Sequence, residues 1–523
     1  MSDKFRKFLV TFLVIAVVVG VSAFAGYFIY DFVFGGSSYP SIGGNPHNQN
    51  IYEINKYNGF NTFPTKGEPR ILVIPVSFDD YKENSTQSNL DKIERVFFVE
   101  DDTKDENFEK SNTSWYSVAQ YYYLSSGKNL KIKGKVTDWF SPGITTRELL
   151  NYRTTNPDYK NSGEDGTWWL LNEAVEWYKS TYSDSKNYDT DGDNFFDLVW
   201  LVYNAPHFTT ANNLPDVFWA FTYTNLDNYY LASKNNILGY NYCFASYDFI
   251  FEGYGKLGYD AHTYIHETGH ALGLNDYYSI YPNPNGPGSD SYPYGGVDMM
   301  DLNIGDHCSF SKYKLGWTSP KQVISEPGEY KMQSTSDSGD FFIVSNSFAG
   351  HPFDEYFVVE YITPTGINYM DYRNPYKGNN LQGFSKPGIR ISHVDSRGVR
   401  LVNTGNDYTF THETNYNLIN GVIIDNSTRD PIYKLSTGKY CQENVIMQKD
   451  YTTFDTSVLS PNYPIGRTVD SLLFYENEVF TLNGNSQYRN LMPSKSNLLN
   501  KGIEFNFTIK VVSLGTEAVI SVY

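Results

Sequence analysis

Two histidines four residues apart with a glutamate between them, in His266-Glu267-Thr268-Gly269-His270, are the part of this chain best equipped for chemistry. On a helix, residues i and i+4 leave the same face, so both imidazoles can grip one metal ion. Glu267 lies one residue round from His266, beside the open metal position, where a general base for a water belongs. Downstream, Gly273 lets the helix stop and the chain reverse, because glycine reaches left-handed backbone angles at little steric cost. That reversal can return Asp276 as a third ligand. Two nitrogens and one carboxylate leave a fourth position open, as a catalytic zinc ion requires. His266, His270 and Asp276 are therefore the expected zinc ligands, and Glu267 the expected base. His262, a further four residues back, is a rival ligand or a supporting partner, but the rise along a helix sets it too far up the axis to share the ion easily.

A second pattern, Asp189-Thr190-Asp191-Gly192-Asp193-Asn194-Phe195-Phe196-Asp197, places carboxylates at relative positions 1, 3, 5 and 9. With the Phe195 carbonyl at position 7, this is the oxygen ladder of a calcium loop. Asp189, Asp191, Asp193, Phe195 and Asp197 are the expected ligands, against the plainer reading of an acidic surface turn. Trp200 stands at position 12 in place of the glutamate of an EF-hand, and an apolar strand follows at once, so the ion's role would be structural. Asp298-Met299-Met300-Asp301 follows the zinc segment at the distance of a methionine turn lying beneath the metal, with Met300 the first candidate and Met299 the second, against the plainer reading of core packing. His393 and Asp395 share a strand face and read as a hydrogen-bonded pair rather than a second site.

The elements that must position these groups are legible from pattern. Residues 70–78 and 198–203 are apolar β runs, and 130–136 alternate as an edge strand would. Helices are expected over about 114–124, about 167–181 and 309–317, the second from Leu171, Ala174, Val175 and Tyr178 at helical spacing. A loop heavy in Pro, Gly, Asn and Tyr over 276–297 would rim the cleft. Beyond about 321, short alternating strands such as 355–361, 388–395 and 505–523 read as a β-sandwich-like domain. The expected class is α+β: residues 69–320 as a metallopeptidase-like domain, 321–523 as a β-rich domain, 36–68 as a stalk and 1–35 as an anchor.

The N-terminus carries that anchor reading. Lys4, Arg6 and Lys7 precede an uncharged apolar run over 8–30, long enough to cross a bilayer as a transmembrane helix. The basic residues would stay cytoplasmic, giving a single-pass membrane protein with its bulk at the cell surface. The alternative is secretion after cleavage near Ala23-Phe24-Ala25. Sequons at Asn84, Asn112, Asn426 and Asn506 are compatible with export. The length of 523 residues allows two or three domains, and a net charge of −18 argues against a nucleic-acid partner. Three cysteines are too few for a disulfide scaffold; Cys243 and Cys308 flank the zinc segment and could pair, leaving Cys441 odd.

Taken together, HETGHALGLNDYY, DMMD, SFSKYKLGW, SVAQYYYLSSGKNLKIKGKVTDW, DTDGDNFFDLVWLVYNA and GIRISHVD resemble the immune inhibitor A-like family of secreted metallopeptidases, within the metzincin architecture. The resemblance spans roughly residues 70 to 400 and implies a zinc-dependent endopeptidase with calcium-stabilised structure. It gives Tyr278 a catalytic role as a tyrosine shortly after the third ligand. Several metzincins have a tyrosine two residues after the turn methionine, where this chain has Leu302. The oxyanion stabiliser is then Tyr277, Tyr278 or another residue of the rim loop. The expected function is a membrane-tethered zinc endopeptidase acting on protein or peptide substrates, and the alternative an adhesin-like binding protein with a vestigial zinc site. The intact Glu267 favours the first, because a purely structural zinc site has no need of a base.

Overall fold

Strand β1 (Arg70–Val76) is buried at every position after the first, as a strand covered on both faces must be. The computed structural model describes residues 50–53, 63–99, 116–155, 166–209, 212, 214, 217–251, 259–277, 294–301, 305–369, 371–372, 384–396, 399–403, 408–412, 416–418, 432–435, 440–442, 444–447, 470–492 and 494–523. The chain divides into two compact units, residues 1–44 with 403–408 and residues 45–402 with 409–523. Everything below belongs to the second.

β1 is flanked by β2 (Lys133–Val136) and β3 (Leu198–Tyr203), followed by β5 (Asn241–Ser246) and, at the far edge, β4 (Phe221–Thr224). All pairings are parallel except that of β4 with β5. Side chains alternate across this sheet. Ile71, Val73, Leu198, Trp200 and Cys243 face a core shared with α1 (Gln87–Phe98), α2 (Val118–Ser125) and α4 (His262–Ala271). Leu72, Ile74, Val199, Leu201 and Phe244 face α3 (Thr167–Thr181) through Leu171, Ala174, Val175 and Tyr178. The helix expected over about 114–124 begins at 118 because Ser117 caps it, its hydroxyl accepting from the Gln120 N–H. Thr86 caps α1 in the same way.

A second, five-stranded sheet contains β6 (Gln322–Ile324), β8 (Phe341–Val344), β9 (Glu355–Ile362), β10 (Gly388–Asp395) and residues Asn444–Ile446. Even-numbered residues of β9, such as Tyr356 and Val358, join the core that holds α4, so that core draws on both sides of residue 320. Odd-numbered ones, Phe357, Val359 and Tyr361, pack into another core with a four-stranded sheet. That sheet is formed by β7 (Gly328–Met332) with Val479–Thr481, Thr508–Leu514 and Ala518–Val522. The whole is a mixed α+β fold with several sheets and few helices.

One expectation is corrected. Against the single-pass membrane placement, no helix among the described residues is long and apolar enough to cross a membrane. The apolar run over 8–30, the sequons at Asn112 and Asn426, and most of the rim loop lie outside the described residues.

Candidate metal centre

Helix α4 carries His266, Glu267 and His270, all buried. It ends in a reversal in which the Leu274 N–H donates to the Gly269 carbonyl at 3.0 Å and the Gly273 N–H to the His270 carbonyl at 2.9 Å. This is a Schellman cap, and Gly273 supplies the left-handed residue it needs with φ of +100°. The reversal returns Asp276 to the helix. Its Oδ1 lies 3.0 Å from His266 Nε2 and 3.2 Å from His270 Nε2.

Both rings are oriented from behind. His266 Nδ1 donates to the Met299 carbonyl at 2.9 Å, and His270 Nδ1 to the Leu274 carbonyl at 2.8 Å. A carbonyl can only accept, so each Nδ1 carries hydrogen and each Nε2 turns toward Asp276. Burial by itself would lower the His266 pKa, but the Asp276 carboxylate raises it to about 9. Burial would likewise raise that of Asp276, and the two imidazoles hold it well below the usual carboxylate range. The pocket thus favours positive charge where these three atoms meet. Donors bonded to one tetrahedral zinc at ~2.0–2.1 Å stand ~3.3 Å apart. The donor set and its spacing therefore fit a small tetrahedral cation.

Glu267 sits beside this point. One ligand atom from each of His266, Glu267 and His270 lies within 4.8 Å of the others. Thr222 Oγ1, on β4, is 3.0 Å from Glu267 Oε2. His262 begins the helix with its ring 6.0 Å from that of His266, outside the group of three. Beneath the helix, Met300 Sδ lies 2.5 Å from where a Cβ on Gly269 would stand. The turn is tied by Asp298, whose Oδ1 accepts from the Met300 N–H at 2.9 Å and Oδ2 from the Cys308 N–H at 2.6 Å. Met299 thus orients a histidine through its carbonyl, while Met300 fills the space below.

Tyr277, one of the tyrosines considered as oxyanion stabiliser, turns into the core, where its hydroxyl and the Ser311 hydroxyl are 2.7 Å apart. Tyr278 and Leu302 lie outside the described residues. Cys243 and Cys308 form no disulfide; they are separate buried thiols, and burial pushes that of Cys308 up to about 12. The side chain of Cys441 lies outside the description.

The acidic loop folds through left-handed Gly192 and Asn194, at φ of +77° and +74°. Asp189 accepts from the N–H groups of Asp193 and Asn194 at 2.9 and 3.2 Å, and Asp193 from that of Phe195 at 2.8 Å. Asp189, Asp191 and Asp193 each bring a carboxylate oxygen within 4.8 Å of the others. Burial, and then the charge of Asp191, push Asp193 up to about 8, a repulsion that a divalent cation would relieve. Asp197 lines the same small cavity as Asp191, Asp193 and Phe195. It accepts from the Thr190 N–H at 2.8 Å, the Thr190 hydroxyl at 2.7 Å and the Arg70 N–H at 2.7 Å, tying the loop to the start of β1.

His393 pairs with Glu355 of the neighbouring strand at 3.0 Å, while Asp395 accepts from Asn500 at 2.8 Å. Sequence reasoning missed Thr222, Tyr52, whose hydroxyl donates to Asp191 at 2.7 Å, and the ion pair of Arg390 with Glu360. Opposite charges in the strand segments 355–361 and 388–395 were the available signal for that pair; no spacing pointed to Thr222.

No protein-family model matches this chain, and no curated protein matches it. Among solved structures, one match is a catalytically inactive OgpA from Akkermansia muciniphila in complex with an O-glycopeptide (glycodrosocin) substrate. The two are 12% identical, the match covers 74% of this chain and 94% of that one, and the TM-score is 0.22. So slight a likeness says nothing about the fold or chemistry of this chain.

Proposed function

We propose that this chain is a zinc-dependent endopeptidase of the metzincin and immune inhibitor A-like kind. His266, His270 and Asp276 hold the metal, Glu267 is the general base, and Met300 is the turn methionine. The observation that carries this reading is the approach of Asp276 Oδ1 to both Nε2 atoms, at 3.0 and 3.2 Å, with Glu267 alongside. When bound, zinc supplies Lewis acidity to a peptide carbonyl and makes water a nucleophile at neutral pH. The Met299 and Leu274 carbonyls keep both histidines in the tautomer that presents Nε2. Among the described residues β4 pairs with β5 alone and lies at the edge of its sheet, where an extended peptide would add by backbone hydrogen bonds. Glu267 takes the proton of the attacking water on a carboxylate oxygen and delivers it to the departing amine. Tyr278 is assigned a catalytic role as a candidate oxyanion stabiliser, and the Asp189, Asp191 and Asp193 loop, with Phe195 and Asp197, a structural calcium ion.

The test is cleavage of an unbiased peptide library by the purified chain and by Glu267→Ala, with bound zinc measured in both. The wild type should cleave, and the variant should keep its zinc while losing about 10²–10⁴-fold in rate. Undiminished cleavage by the variant, or no zinc in either protein, would overturn the reading.

A further inference from the structure

The geometry points to Thr222 as a positioning residue for the Glu267 carboxylate, an inference that rests on reading Glu267 as the base. Thr222 lies on the edge strand β4 with its side chain buried toward α4. Its Oγ1 is 2.7 Å from the Glu267 carbonyl oxygen, 3.0 Å from Glu267 Oε2 and 3.2 Å from Cys243 Sγ. Cys243 is its register partner on β5. The Glu267 carbonyl oxygen and the Oε2 of a carboxylate base can only accept, so the single hydroxyl hydrogen is shared between them. The single Cys243 thiol hydrogen can turn to Oγ1 at 3.2 Å or to the Glu267 carbonyl at 3.8 Å. The terminal torsion of a glutamate is broad, so its carboxylate plane is not fixed by rotamer preference alone. A tether on Oε2 fixes that plane, and with it the place where the other oxygen meets the attacking water. The same residue sits on the strand proposed above to pair with substrate, so peptide binding and base orientation would share one element.

The rival account is that Thr222 merely satisfies the Glu267 carbonyl. Two substitutions and one thermodynamic cycle separate the two. Thr222→Val keeps the shape and removes the hydroxyl; Thr222→Ser keeps the hydroxyl. With peptide substrate and bound zinc, Thr222→Val should lower kcat roughly ten- to a hundred-fold with KM and zinc content unchanged. Thr222→Ser should recover most of that loss. The second readout uses no activity: urea midpoints of metal-free wild type, Thr222→Val, Glu267→Ala and the double variant. Glu267→Ala deletes Oε2 but leaves the carbonyl. Thr222→Val should therefore shift the midpoint less in the Glu267→Ala background than in the wild type. An active wild type with additive midpoints, or with kcat untouched by Thr222→Val, overturns the positioning role alone. An inactive wild type that holds zinc overturns the reading of Glu267 as base, and this role with it.

Discussion

At the scale of single residues, the glycine inside the metal motif answers to the methionine below it. A side chain at Gly269 would meet Met300 Sδ at 2.5 Å and the Tyr122 hydroxyl at 3.1 Å. The sulfur can shift, but Tyr122 is held by the Ile265 carbonyl at 2.6 Å. Gly269→Ala should therefore cost ~1–3 kcal/mol of stability through overpacking, read from denaturant unfolding. Combining it with Met300→Ala should recover part of that cost, because the second change opens the space the first one fills. A Gly269→Ala protein as stable as the wild type would show that Met300 does not lie where this packing puts it. The contrast with Thr222 explains what was legible here. His266, Glu267 and His270 announce themselves because one helical turn fixes their relation within five residues. Thr222 meets Glu267 only because β4 pairs with β5 and β5 lies under α4, a relation that no local spacing encodes. The cysteines taught the opposite lesson. Position in the sequence brought Cys243 and Cys308 together, and the sheet keeps them apart, one against Thr222 and the other near Tyr277 and Ser311.

At the scale of elements, patterns with a strict period fix α3 and β3 to within a residue or two. α3 and β3 lie where the pattern put them, since their apolar positions are set by burial on one face and on both. Caps and edges were harder. The Ser117 cap shifted one boundary, and β2 begins only at Lys133. The acidic loop is the element with the clearest untested consequence. Three carboxylates are held within 4.8 Å of one another before any ion is considered, and burial with mutual repulsion lifts Asp193 to about 8. Binding a divalent cation to the folded loop alone adds stability with ion concentration, ~2.7 kcal/mol at a hundred times the dissociation constant. Calcium should accordingly raise the melting temperature of the wild type, and a chelator should reverse it. Asp193→Asn should abolish most of the calcium-dependent rise. If melting of the wild type ignores calcium, the loop is an acidic turn and nothing more. The anchoring by Asp197 also predicts where a loss of calcium would be felt, namely at the start of β1, through Arg70.

At the scale of the whole molecule, a buried ion pair ties the second sheet to the segment that carries the methionine turn. Arg390 and Glu360 are register partners on β10 and β9, facing the core that holds α4. Arg390 Nε and Nη2 donate to the two Glu360 oxygens at 2.7 and 3.0 Å, and the Ser309 N–H donates to Oε1 at 2.7 Å. The guanidinium also lies 5.2 Å from the Tyr294 ring, which packs at 5.1 Å on Tyr277, next to Asp276. The pair is therefore a bracket between the second sheet and the segment that carries the methionine turn. A buried pair of this kind need not add much stability over apolar residues, but breaking it leaves a charge with no counterpart. Arg390→Leu should cost ~3–5 kcal/mol by that argument. Glu360→Gln added to Arg390→Leu should recover much of the loss, since a neutral amide oxygen can still accept from Ser309 without an unpaired charge. Urea unfolding of the wild type, the single variant and the double variant decides the matter. A single variant within ~0.5 kcal/mol of the wild type would show that the pair is not a bracket between the two parts. A double variant no better than the single would mean that the guanidinium's contact with Tyr294, rather than the charge left on Glu360, is what holds the two parts together.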